Sequence, residues 1–251
     1  VPLIGSHQSN TQNIAMQIAN LFGGLIIETN NSNDQNYLNL DSFGKQWGWG
    51  RSGETKKWSN LVIKQAKGEE IFCKQLSGND LWQASESGKV INQLSEKETS
   101  KSDSTFYVSI YENHEISWHP PILWIGIGCS RNTNKEFIQK SLKSFLESKN
   151  FSELSIAGFA TIDLKKDEEG ILETAKEKKL PIKFFSKDEL SQVNVPNPSK
   201  VVLYEIGTAS VAEAACLIAA GKDSELLQEK IIFKTKHNSA RDTGAVTFAV
   251  A

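Results

Sequence analysis

From residue 122 onward, short apolar runs alternate with stretches that open on helix-capping signatures, and this alternation most narrows what the chain can become. The run Ile122-Leu-Trp-Ile-Gly-Ile-Gly128 ends in glycine and predicts a buried strand. Thr133-x-x-Glu136 reads as a capping box, with apolar residues at 137, 138, 142, 145 and 146 on one helical face. Residues 154–161 predict a second strand, followed by the polar turn 163–168 and a helix through 179. A third strand is expected at 181–185, and Ser186-x-x-Glu189 caps a short helix. Residues 200–206 predict a fourth strand running into Gly207. Ser210-x-x-Glu213 then reads as a capping box for an alanine-rich helix that stops at Gly221. Strands at 231–235 and 245–250 close the series. Such spacing suits crossover units, so the expected fold is α/β with a mostly parallel sheet.

Upstream the pattern changes. All six tryptophans lie at or before Trp124, the segment 95–105 is polar and reads as a linker, and His119-Pro120-Pro121 stiffens the chain before the apolar run. These shifts divide the sequence into 1–50, 51–119 and 120–251. The first part reads as the end of an α/β domain, with a helix at 11–22 and a strand at 25–27; the second reads as a small mixed domain with strands near 70–74 and 105–111. A start at Val1 reads as an excerpt or a processed chain.

A formal net charge of −2 argues against a protein that works by neutralising nucleic-acid phosphates. The apolar runs fall far short of the roughly 20 residues of a membrane span, and no leader is visible, so a soluble cytoplasmic protein is expected. Three cysteines without a C-x-x-C pair and four scattered histidines suggest reduced thiols and no metal site.

Two segments share one expected architecture of strand, glycine turn and helix start: Gly126-Ile-Gly128-Cys129-Ser130-Arg131-Asn-Thr and Gly207-Thr208-Ala-Ser210-Val-Ala-Glu213. At the carboxyl edge of a parallel sheet, the free N–H groups and helix dipole of such turns suit a phosphate or carboxylate, and Arg131 adds a bidentate donor. Ordinary strand–helix turns would look the same. Glu213 reads as a general base or, more simply, as the far member of a cap with Ser210. Cys129 is a nucleophile at a helix start or, more simply, a small buried thiol. Thr161, Asp163 and Lys165 stand at a strand end as ligand contacts or as a solvated turn. His7 has the neutral imidazole of a proton shuttle, while Arg241 and Asp242 sit in a polar loop. No Walker lysine or ribose-reading acid supports a nucleotide site.

Taken in order, Gly126-Ile-Gly-Cys-Ser-Arg-Asn-Thr, Ala160-Thr-Ile-Asp-Leu-Lys-Lys-Asp-Glu, Pro198-Ser and Gly207-Thr-Ala-Ser-Val-Ala-Glu-Ala-Ala resemble the C-terminal domain of the cobalamin biosynthesis protein CbiG, shared with CobE. Pro2-Leu-Ile-Gly-Ser-His-Gln is similar to the close of the CbiG N-terminal domain, although a glycine-rich stretch usual there is replaced by Gly5-Ser-His-Gln-Ser-Asn. Trp118-His-Pro-Pro-Ile-Leu-Trp resembles forms fused ahead of a precorrin-3B C17-methyltransferase, which would then follow residue 251. The resemblance implies cobalt-precorrin-5A hydrolase activity: a ring lactone is opened, a carbon–carbon bond breaks and acetaldehyde leaves. No cofactor of the protein's own is implied, because the substrate carries the cobalt. The implied substrate-binding residues are Gly128, Cys129, Ser130, Arg131, Thr161, Asp163, Lys165, Gly207, Thr208 and Ser210, with His7 and then Glu213 as proton shuttles. A CobE-like module that binds a corrinoid intermediate without chemistry is the alternative. A homodimer is a further expectation; nucleic-acid and membrane partners are not expected.

Overall fold

The computed structural model describes residues 40, 43–84, 91–94, 104–235 and 244–251. The chain falls into two compact units, one reaching to Ser109 and including His114–Trp118, the other formed by Ile110–Asn113 and His119–Ala251. The expected helix at 11–22, the strand at 25–27, most of the linker, His7, Arg241 and Asp242 lie outside the described residues.

The first unit holds strands β1 (Gly50–Gly53), β2 (Phe72–Gln75), β3 (Asn92–Leu94), β4 (Thr105–Val108) and β5 (Ile116–His119), in the order β1-β5-β4-β2-β3. Strand β2 runs parallel to β3 and β4, and β4 parallel to β5. Helix α1 (Thr55–Ala66) buries Trp58 and Leu61. Aromatic rings build this core: Phe43 meets Trp82 edge-on at 5.0 Å and Phe106 at 5.5 Å. The buried indoles keep their N–H groups paired where the chain offers an acceptor, as Trp58 does with Ser52 O at 2.8 Å.

The second unit is a sheet covered on both faces. Strands β6 (Leu123–Cys129), β7 (Ile156–Ile162), β8 (Ile182–Phe185), β9 (Gln228–Lys234) and β10 (Ala245–Val250) lie in the order β8-β7-β6-β10-β9. β6, β7 and β8 are parallel. β10 is antiparallel to β6 and to β9, so β9 runs the same way as β6 and the sheet is mixed, four strands pointing one way and β10 alone the other.

Alternation along β6 decides which helix lies on which face. Leu123, Ile125 and Ile127 share a buried cluster with Ile138, Leu142 and Phe145 of α2 (Lys135–Glu147) and with Ile171 and Ala175 of α3 (Glu169–Lys178). Fully burying a side chain such as Phe145, Phe159 or Phe248 there contributes roughly 2–3 kcal/mol. The intervening Trp124, Gly126 and Gly128 face the other way, toward α6 (Val211–Ala220). Alanines 212, 214, 215 and 219 of α6 are buried, and their small side chains let the helix lie close on the sheet. Lys183 donates to the Ala219 carbonyl at 3.1 Å, where orphan acceptors end α6, and its ammonium stands 4.0 Å from the Trp124 ring centre.

Three expectations about local structure are corrected. Residues 200–206 form helix α5 (Lys200–Ile206), not a strand. The β-branched Val201 and Val202 suggested a strand, but the ends decide: Ser199 Oγ accepts from Val202 N, and Gly207 closes the helix at φ 83°. The cap of α2 is Asn134, whose side chain accepts from Glu136 N at 2.7 Å and Phe137 N at 3.3 Å, so Thr133 and Glu136 form no capping box. Ser210 is the first residue before α6 but makes no side-chain cap bond, and Glu213 turns elsewhere. The Ser186–Glu189 box does form, ahead of α4 (Lys187–Ser191).

Candidate functional site

The carboxyl ends of β6, β7 and β8 and the start of α6 meet at one rim. Glycine makes this possible: a Cβ on Gly126 would lie 1.8 Å from the Ala212 carbonyl oxygen, so only hydrogen there lets α6 rest on the strand. Gly128 stands farther off, its nearest neighbours on Val211 and Thr247 at 3.9 Å. The two glycine turns are thus brought together, although the second follows helix α5 and not a strand.

The first turn is braced rather than open. Ser130 N donates to Ala245 O at 2.9 Å, its hydroxyl accepts from Ala245 N at 3.3 Å, and its carbonyl accepts from Thr133 Oγ1 at 2.7 Å. Arg131 donates to Asp167 Oδ1 at 2.5 Å and to Leu164 O at 2.7 Å, which joins the turn after β6 to the turn after β7. These contacts hold the Asp167 carboxyl below the usual carboxylate range. Arg131 keeps further N–H donors of its five for a ligand.

Behind Arg131 lies an enclosed ion pair. Lys165 Nζ sits 3.0 Å from Glu168 Oε2, with side chains 9% and 2% exposed, and Glu168 Oε1 accepts from Thr133 N at 3.1 Å. Lys165 is therefore committed to Glu168, whereas Asp163 is half-buried at the start of the same turn. Thr161 is fully buried and donates to Ile127 O at 2.7 Å; it braces β7 against β6 from inside the sheet.

Cys129 ends β6 half-buried, and burial pushes its thiol up despite nearby Lys165. Burial also raises Cys73, and pushes Cys216 up to about 12. All three thiols are thus protonated at neutral pH, the state of a packing residue and not of an activated nucleophile. We expect a thiol-exchange reagent at pH 7 to label the native chain slowly and to count three thiols at once after denaturant is added; rapid native labelling at Cys129 would contradict this.

At the second turn, Gly207 takes φ 83°, Thr208 and Ser210 are buried, and the Thr208 hydroxyl has no hydrogen-bond partner. Glu213 is fully enclosed. Its Oε1 accepts from Asn197 Nδ2 at 3.0 Å and Lys230 N at 3.2 Å, while Oε2 has no partner. Leaving one buried acceptor unmade costs about 1–3 kcal/mol, more for a charged group. Asn197, Glu229 and Lys230 escaped the sequence reading; an asparagine between Pro196 and Pro198 was the one local hint. Among the described residues no helix is long and apolar enough to cross a membrane, and no group of three or more metal-binding side chains gathers.

A glycine-floored rim at the carboxyl edge of a sheet, between a strand end and a helix start, is the place where open α/β sheets generally take their ligands. The chain belongs to the family described as cobalamin synthesis G C-terminus, whose model matches residues 123–251. It is 26% identical over 247 residues to a cobalt-precorrin-5A hydrolase of Priestia megaterium, covering 92% of this chain and 65% of that protein. Protein CobE of a Sinorhizobium species is 28% identical over 127 residues, covering 50% of this chain and 81% of that protein. A crystal structure of CobE, from the cobalamin (vitamin B12) biosynthetic pathway, superposes with a TM-score of 0.44 at 29% identity, covering 53% of this chain and 92% of that one.

Proposed function

We propose that this chain supplies part of a cobalt-precorrin-5A hydrolase, and that the rim of its second unit receives the acidic arms of the cobalt-bearing macrocycle. One observation carries the reading: Gly126 lets the first turn of α6 stand beside the end of β6, so the N–H groups that open α6 and the guanidinium of Arg131 share one edge. The substrate's acetate and propionate groups are the ligands such a rim suits. Gly128, Cys129, Ser130 and Arg131 serve one arm; Gly207, Thr208 and Ser210 serve a second, with Asp163 and Lys165 shaping the floor between them.

The reaction consumes one water. Its oxygen joins the lactone carbonyl carbon, the ring C–O bond breaks, and the released alkoxide collapses to acetaldehyde as the carbon–carbon bond breaks. The electron pair enters the conjugated macrocycle, which takes back the proton removed from water. A proton carrier is the protein's chemical share, and His7 and Glu213 are the residues assigned to it.

The relationship to CobE keeps a second reading in view, in which the unit holds a corrinoid without turning it over. The prior commitment of Arg131 to Asp167 and of Lys165 to Glu168 favours it, because both cations serve the fold as well as the ligand. Incubating the chain with cobalt-precorrin-5A and assaying acetaldehyde, while following the cobalt chromophore, separates the two. Aldehyde released in step with the spectral change supports the hydrolase. A spectral shift without aldehyde supports the binding module, and neither signal contradicts both.

A further inference from the structure

The unequal treatment of the two Glu213 oxygens has a visible cause in residue 197. Asn197 lies between two prolines, which restrict its backbone, and its amide nitrogen has two protons to give. One goes to Glu213 Oε1 at 3.0 Å and the other to Glu229 Oε2 at 2.8 Å. The Lys230 ammonium donates to the Asn197 main-chain carbonyl, and the Lys230 N–H reaches the same Glu213 Oε1. Two carboxylates facing one amide nitrogen allow that amide a single orientation. A carboxylate serving only to clasp β9 and the loop 192–199 to α6 would be expected to pair both buried oxygens. Here Oε1 takes every donor and Oε2 takes none.

We propose that Asn197 is a positioning residue for Glu213: it saturates Oε1 and so leaves Oε2 as the oxygen that exchanges a proton with the water or the ligand. The inference rests on the reading of Glu213 as a proton carrier. Glu229 and Lys230 hold Asn197 in turn, and the remaining charged groups on elements packed against α6 are Lys183, Lys187, Asp188, Glu189 and Lys234.

The test is steady-state acetaldehyde release from cobalt-precorrin-5A by the full chain, comparing wild type, Glu213→Gln, Asn197→Ala and the double variant. We expect Asn197→Ala to lower kcat about tenfold or more while KM moves less than about threefold. The double variant should be no slower than Glu213→Gln alone, because Asn197 acts through Glu213. Asn197→Ser, which retains a donor, should recover part of kcat and carries the test should the alanine variant not fold. An impaired Glu213→Gln beside an unimpaired Asn197→Ala would overturn the inference and leave the reading of Glu213 standing. Additive losses in the double variant would overturn it too. Full activity in Glu213→Gln would remove the proton role of Glu213 and the inference together.

Discussion

Replacing Gly126 by alanine is expected to lower the stability of the second unit by about 3 kcal/mol, and replacing Gly128 by alanine is not. The two glycines lie two residues apart on one strand and face the same helix, so the contrast isolates a single contact. At position 126 the new Cβ would lie 1.8 Å from the Ala212 oxygen and 2.7 Å from its carbonyl carbon. Both are backbone atoms of α6 and have no rotamer to escape into, so the helix must lift off the sheet. Lifting it opens gaps around Trp124, Ala212 and Cys216, which pack in that layer. At position 128 the nearest atoms stand at 3.9 Å, ordinary contact distance, and neither glycine has a positive φ. Gly128→Ala should therefore leave stability unchanged or raise it by roughly 0.4–1 kcal/mol through the unfolded chain. Urea unfolding of the three proteins, followed by circular dichroism, checks this; equal midpoints for Gly126→Ala and wild type would refute the close approach. Because the same contact sets α6 beside the end of β6, the proposed function further predicts that Gly126→Ala weakens corrinoid binding.

The second large effect belongs to Glu168. Changing it to alanine leaves the Lys165 ammonium enclosed without its partner and takes the acceptor from Thr133 N. Removing one half of such a buried pair costs about 3–5 kcal/mol. Replacing both halves, Lys165→Met with Glu168→Gln, should return stability to within about 1 kcal/mol of wild type, since neither charge then needs burying. Arg131→Ala serves as the contrast: its side chain is 54% exposed and its partner Asp167 is 76% exposed, so the loss should stay under about 1 kcal/mol. Similar costs for Glu168→Ala and Arg131→Ala in thermal or urea unfolding would contradict the distinction between an enclosed and a surface pair.

Most of the second unit was legible because its signals are local. Apolar runs between capped amphipathic stretches gave β6, β7, β8, β9, β10, α2, α3, α4 and α6 within a few residues. The error at 200–206 arose where two local signals compete: Val201 and Val202 favour a strand, while Ser199 and Gly207 mark helix ends, and the ends prevailed. Strand direction was less accessible, because whether β10 enters beside β6 from one end or the other depends on sheet order, which no periodicity encodes.

At the site, the glycine turns and Arg131 could be found from residue type and spacing. Their partners could not. Asp167 and Glu168 meet Arg131 only after the crossover through α2 brings the ends of β6 and β7 together, and Glu213 meets Asn197 and Lys230 across 16 and 17 residues. Glu213 shows the consequence most clearly. Its spacing from Ser210 matched a cap, yet the tertiary donors Asn197 Nδ2 and Lys230 N drew its carboxylate away from the helix end.

The central claim is that the joined turns of the second unit hold the acidic arms of a cobalt corrinoid. A crystal structure of the chain with such a macrocycle bearing free carboxylates tests it most directly. The account predicts carboxylate oxygens about 3 Å from the Arg131 guanidinium and from main-chain N–H groups at the first turn of α6. A macrocycle seated at the opposite end of the sheet, or bound with its arms directed into solvent, would contradict it.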